Sequence, residues 1–177
     1  DEDKTAKKAG GADKKQSMVC TKTVEVDTTM SGMVIGVSSF NQAIGVWRVG
    51  RVTDMSLMFN SVEFNQPIGD WDVSRVTTMI FRFRGASSFN QPLGNWNVAN
   101  VTTMTRMFWA ASSFNQPLEN WNVAKVTYMF GTFGEASSFN QPLGNWNVAN
   151  VRTMVGMFKN ASSFKSSRPM PKNYFES

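Results

Sequence analysis

Apolar side chains recur along most of this chain in one fixed phase. Phe40, Phe64, Phe89, Phe114, Phe139 and Phe164 are separated by 24, 25, 25, 25 and 25 residues. Trp47, Trp71, Trp96, Trp121 and Trp146 follow the same steps, as do Phe59, Phe83, Phe108, Phe133 and Phe158. Self-similarity at such a period is the signature of a stacked repeat protein. Within one period the pattern changes character. Trp96-Asn97-Val98 alternates apolar and polar, which predicts a short half-buried strand. Val101, Met104, Met107 and Phe108 then follow the spacing of one helical face, with Asn100 as N-cap. A Pro/Gly/Asn bend, FNQPLGN, returns the chain to the next strand.

These elements predict a repeat solenoid. Its unit is a leucine-rich-repeat-like right-handed coil of about 25 residues, with one short strand and one short helix or 3-10 segment. The expected layout has four parts. Residues 1–19 are a basic flexible tail, 20–39 an N-terminal capping half-repeat, 40–163 five stacked repeats and 164–177 a C-terminal cap or tail. The half-repeat rests on TTMSGMVIGVSSF, Thr28 to Phe40, which aligns without gaps on TTMTRMFWAASSF, Thr102 to Phe114. Terminal repeats diverge because one face lacks a neighbour. The first full repeat is one residue short between Phe59 and Phe64, so that segment is read as a loop; a deletion inside a strand would turn every side chain to the other face.

Subtracting what repeats divides the residues by purpose. Phe114, Leu118, Trp121, Val123, Val126, Met129 and Phe133 are one coil's inward set, recurring as core columns rather than as a ligand cage. The Asn41, Asn65, Asn90, Asn115 and Asn140 column, with its following Gln residues, suits hydrogen bonding along a stack; an ice- or sugar-binding ladder is the other reading. Large apolar residues that the repeat does not require remain: Ile80, Phe81, Trp109, Tyr128 and Phe130. They are the candidate partner contact, with a local core irregularity as the alternative. A candidate basic stripe comprises Arg48, Arg51, Arg75, Arg82, Arg84, Arg106 and Lys125. It would suit an acidic protein face, anionic lipid headgroups or a sulfated glycan.

Composition narrows the chemistry. The chain has 177 residues, a formal net charge of +5, no histidine and one cysteine, Cys20. No intramolecular disulfide and no cysteine-built zinc site is available. The usual near-neutral general base is missing too. No catalytic residue, cofactor or metal site is expected. Asp70 and Asp72 flank Trp71, but other repeats hold Asn there, so an acid-pair enzyme is the weakest reading. The sequons at Asn100 and Asn160 arise from the repeat itself. No basic cluster interleaved with stacking aromatics supports nucleic-acid binding, and no apolar run is long enough to span a bilayer. The first residue is Asp1 and no signal-peptide pattern is present. The chain is read as a mature processed form or a fragment of a longer precursor. The compartment stays open, with a mature chain exported or organelle-targeted, peripheral to a membrane or at the cell surface, as the expectation.

The motif FNQPLGNWNVANVTTMTRMFWAASSFNQ resembles the BspA-like surface-protein repeat first described in mycoplasmas, a relative of the leucine-rich repeat also found in microalgae. The likeness spans residues 28–164, where Phe-Asn-Gln, Trp-x-Val, Val-Thr-x-Met and Met-Phe recur in phase. It implies a non-enzymatic module for adhesion or protein binding and supplies no catalytic residue. Two functions follow as expectations. One is a scaffold or linker subunit that binds a protein partner or multiprotein complex, with a membrane-associated assembly as a candidate setting. The alternative is a cell-surface adhesin binding host protein or glycan.

Overall fold

The computed structural model describes residues 25–165. The tail 1–19, the first part of the half-repeat and the segment beyond Lys165 lie outside the described residues.

Consecutive repeats are joined by hydrogen bonds between positions one period apart. The Thr53, Thr77, Thr102 and Thr127 amides donate to the carbonyls of Thr28, Thr53, Thr77 and Thr102 at 2.8–2.9 Å. Their hydroxyls donate to the same carbonyls at 3.1–3.2 Å. Parallel bridges run from Thr29 through Asp54, Thr78, Thr103 and Tyr128 to Thr153.

Two expected elements are absent among the described residues. No strand forms at Trp96-Asn97-Val98; each repeat contributes isolated bridges, and these lie later, at the Thr78, Thr103, Tyr128 and Thr153 column. No helix forms at Val101–Phe108 either. Its place is taken by a run of linked turns at 31–36, 56–61, 80–85, 105–110, 130–135 and 155–160. The hydrogen bonds explain the difference. In the third run, the Arg82, Arg84 and Ala86 amides donate to the Met79, Phe81 and Phe83 carbonyls within the run. The intervening amides of Met79, Phe81, Phe83 and Gly85 donate instead to Thr103, Thr105, Met107 and Trp109 of the next repeat. Carbonyls of Ile80, Arg82 and Arg84 accept from Leu57, Phe59 and Ser61 of the previous one. Successive peptides thus alternate between the run and its neighbours, whereas an α-helix directs every bond along one ladder. The alternation is set by left-handed residues four apart, such as Phe81 (φ 55°) with Gly85 (φ 68°) and Gly131 (φ 60°) with Glu135 (φ 56°). One such residue per turn breaks a right-handed helix. We call each run a turn ribbon.

The core consists of ring columns. Within each repeat the two Phe residues stack face to face: Phe59–Phe64 at 4.0 Å, Phe83–Phe89 at 4.1 Å and Phe133–Phe139 at 4.0 Å between centroids. The one-residue deletion between Phe59 and Phe64 leaves that pair unchanged. Between repeats the second Phe column steps by 5.4–5.7 Å. Each fully buried ring contributes roughly 1.5–3 kcal/mol through apolar burial. In the later repeats indole nitrogens are satisfied across the stack: Trp96, Trp121 and Trp146 Nε1 donate to Ile68, Leu93 and Leu118 carbonyls at 3.0, 3.0 and 2.9 Å, whereas Trp47 Nε1, in the first repeat, is buried without a partner. The Asn column satisfies the bend. Asn90, Asn115 and Asn140 amides donate to the Oδ1 of Asn65, Asn90 and Asn115 at 2.9–3.0 Å. Gln91, Gln116 and Gln141 side chains donate to the same acceptors. The Asn residues therefore serve backbone satisfaction along the stack.

Candidate interaction surface

The ribbons alternate pairs of inward and outward residues. In the 105–110 ribbon, Met107 and Phe108 are buried while Thr105, Arg106, Trp109 and Ala110 face outward and are half-buried. This register places the residues singled out by sequence.

Phe81, Trp109 and Phe130 gather around one arginine. The Arg106 guanidinium carbon lies 5.0 Å from the Phe130 ring centre, 5.1 Å from that of Trp109 and 5.9 Å from that of Phe81. Arg84 approaches the same Phe81 ring at 5.8 Å, and its Nη1 donates to Asn60 Oδ1 at 3.4 Å. Four neighbouring ribbons, from 56–61 to 130–135, thus contribute to one cluster of rings and guanidinium groups. Such contacts are worth about 0.5–1 kcal/mol each when exposed.

Local backbone and packing show what holds the cluster. Phe81 and Arg106 occupy the left-handed region at φ 55° and 50°, in a column where other ribbons have Gly32, Gly131 and Gly156. A bulky side chain there costs on the order of 1 kcal/mol or more. Trp109 lies flat on the next ribbon. A Cβ at Gly131 would stand 2.7 Å from the indole, and one at Gly134 would be closer still. Those two glycines are the seat of Trp109, and sequence reasoning missed them. The signal was available, since both columns hold larger residues in other ribbons. Arg106 Nε is buried without a partner, whereas its two terminal nitrogens are not buried and make no hydrogen bond or ion pair among the described residues.

Tyr128 and Ile80 flank the cluster without joining it. Tyr128 sits in the bridge column, 42% exposed. The Thr103 and Thr105 hydroxyls lie 3.2 Å apart, so that column neighbours the one holding Phe130. Ile80 shares the column of Phe130 and is half-buried. Val155 in the same column is 44% exposed and extends the apolar strip; it escaped notice because valine also fills the core columns.

The basic stripe loses Arg82, and its other members fall into two groups. Arg48, Arg51, Arg75 and Lys125 are exposed, and Lys125 Nζ donates to Asn100 Oδ1 at 2.7 Å. Arg51 also lines an open cavity of ≈ 270 Å³ with Glu25, Val26 and Asp27 of the N-terminal half-repeat. Arg84 and Arg106 belong to the ring cluster. Arg82 is not at the surface at all: it is fully buried. It occupies the inward column that holds Met58, Met107 and Met157 in other repeats. Its guanidinium carbon lies 4.9 Å from Trp96, 5.1 Å from Phe83, 5.5 Å from Phe59 and 5.6 Å from Trp71. None of its three nitrogens has a hydrogen-bond partner. Burial pushes its pKa down to about 9. It lies between two indoles, while Trp96–Trp121 and Trp121–Trp146 stack directly at 6.5 and 6.4 Å.

Asp72 has a structural task. Its Oδ1 accepts the Ser74 amide at 3.0 Å, as the Asn97, Asn122 and Asn147 side chains do two residues on in their own repeats. The hydrogen bonds from Ser74, with a smaller contribution from Arg75, hold its carboxyl below the usual carboxylate range. A carboxylate held ionised at neutral pH is unsuited to act as a general acid. Among the described residues no group of three or more His, Cys, Asp or Glu could hold a metal ion, and no helix is long and apolar enough to cross a membrane.

A chain whose ring, Asn and Thr columns recur each period is a repeat protein. Over residues 28–141 and 93–170 it matches the family described as Mycoplasma protein of unknown function, DUF285, and it belongs to that family. No curated protein matches the chain. No solved structure matches it either.

Proposed function

We propose that this chain is a non-enzymatic interaction module, a BspA-like solenoid of leucine-rich-repeat type that serves as a scaffold or linker subunit in a larger assembly, with a membrane-associated complex as a candidate setting. The observation that carries the reading is the gathering of non-consensus residues. Phe81, Trp109 and Phe130 come from three different repeats and meet on the outer ribbon face around Arg106. Stacking needs no ring at these places, since no other described repeat has an aromatic residue in any of the three columns and several have Gly, Ser, Thr or Asn there. Clusters of Trp, Tyr and Arg dominate the binding energy of protein interfaces.

The test is a triple variant, Phe81→Ser, Trp109→Ser and Phe130→Ser, purified with its native assembly. Loss of the assembly by a triple variant that still unfolds in one cooperative transition supports the reading. Retention of the assembly by a folded triple variant overturns it.

A further inference from the structure

We infer that the Arg106 cluster takes an acidic segment of a partner protein: a carboxylate engages the guanidinium edge while an apolar side chain of the same segment lies on Trp109 and Phe130. The inference rests on the interaction reading above and specifies the chemistry of the partner.

The guanidinium geometry is the first argument. Three rings lie within 5.9 Å of the Arg106 guanidinium carbon. Nε is buried, and the two terminal nitrogens alone are left unburied and unpartnered. A guanidinium held in this way offers a planar fork, and the acceptor that matches a fork is a carboxylate or phosphate bound through two oxygens. The flanking rings exclude water from one side, which strengthens the pairing.

Charge is the second argument. Among the described residues, the outward positions of the six ribbons carry Arg84, Arg106 and Lys159 against Glu135 alone. Among the described residues no carboxylate pairs with Arg106. This small positive field selects an acidic partner, but three cations are too sparse for a lipid surface, where each contributes only about 1 kcal/mol. The third argument is the platform. Trp109 is laid flat by Gly131 and Gly134, and Val155 and Tyr128 extend the apolar strip with exposures of 44% and 42%. A carboxylate beside an apolar side chain on one extended segment fits a fork beside a flat ring.

The experiment uses the full chain and a fluorescein-labelled peptide alternating glutamate and phenylalanine, read by fluorescence anisotropy. The controls are the same peptide with glutamine for glutamate, and phosphatidylserine/phosphatidylcholine vesicles. The glutamate peptide is expected to bind about tenfold or more tightly than the glutamine peptide, as losing one charge-assisted pair requires. Arg106→Gln abolishes that preference, and Arg106→Lys reduces it because an ammonium is not a fork. Trp109→Ser weakens both peptides, and Arg75→Gln changes neither. Arg106→Gly is the second variant, since glycine is native to this left-handed column in other repeats and its fold is secure. Equal affinity for the two peptides overturns the inference, as does a glutamate preference that survives in Arg106→Gln and Arg106→Gly. Vesicle binding that needs Arg106 without any peptide preference also overturns it, in favour of a membrane. Equal peptide affinities with a native assembly still lost in the triple serine variant would defeat this inference alone and leave the interaction reading standing.

Discussion

Arg82 and Arg106 lie 24 residues apart and keep the same company, yet the consequences differ. Arg82 has four aromatic rings within 5.6 Å and no exposure; Arg106 has three within 5.9 Å and two nitrogens that are not buried. The cause is register. Arg82 stands immediately before the inward Phe83, in the column of Met58 and Met107, so the ribbon turns it inward. Arg106 stands two before the inward Phe108, in the column of Phe81 and Gly131, so the ribbon turns it out. Inside, the rings only partly offset the desolvation of a guanidinium with no hydrogen bonds, a cost of several kcal/mol. Outside, the same attraction organises three side chains from neighbouring repeats at little desolvation cost. One type of contact is therefore a defect of the core in one column and a candidate docking device in the other.

The largest expected difference between the two sites lies at the rings. Trp96 walls the Arg82 cage, stacks on Trp121 and donates to Ile68, so Trp96→Ala should lower unfolding free energy by about 3–5 kcal/mol. Trp109, the wall of the outer cluster, rests half-exposed on two glycines, and Trp109→Ala should lower it by only about 1 kcal/mol. Urea unfolding curves give both numbers; comparable losses would mean that the outer cluster is part of the core.

The next difference lies at the arginines themselves. Arg82→Met restores the residue type of the neighbouring repeats and should stabilise the protein by about 1–4 kcal/mol, the range seen when buried charges become apolar side chains. A lower urea midpoint for Arg82→Met would contradict the account. The pH dependence carries the same sign. Burial depresses the Arg82 pKa to about 9, so between there and the ordinary arginine range the unfolded state binds more protons than the native state. Stability then rises with pH in that window, by up to about 1.4 kcal/mol per pH unit. The deficit of the wild type relative to Arg82→Met should be full below about pH 9 and shrink toward about pH 11. Taking the difference between the two proteins cancels the titration of Tyr and Lys residues common to both, and a constant difference across the window would contradict the assignment.

Much of this was legible from residue spacing, because a stack repeats its requirements. Phe, Trp and Asn must return each period to meet their neighbours, and their columns fall where the phase puts them. Phe81, Trp109 and Phe130 stood out as residues the repeat does not need. Three things were not legible. Val101, Met104, Met107 and Phe108 suit a helix, but inward pairs alternating with outward pairs give nearly the same spacing, and only the left-handed residues separate a turn ribbon from a helix. Trp96-Asn97-Val98 alternates like a strand, yet the repeats meet there through indole hydrogen bonds instead of a ladder, and Asn97 closes a local Asx turn. Arg82 read as a surface residue because charge usually marks exposure, although its column of methionines was already the core column. The distinction between Arg82 and Arg106 needed the register of the ribbon, not the residue type.

The central claim is that the outward ribbon face around Arg106 is where this protein meets a partner. The most direct measurement is site-specific photo-crosslinking in the native assembly, with a benzophenone amino acid placed in turn at Trp109, at Phe130 and at Asn122 on the exposed Asx turn. The account predicts crosslinks to one and the same partner from Trp109 and Phe130 and none from Asn122. Crosslinks from Asn122 with none from Trp109 or Phe130 would contradict it.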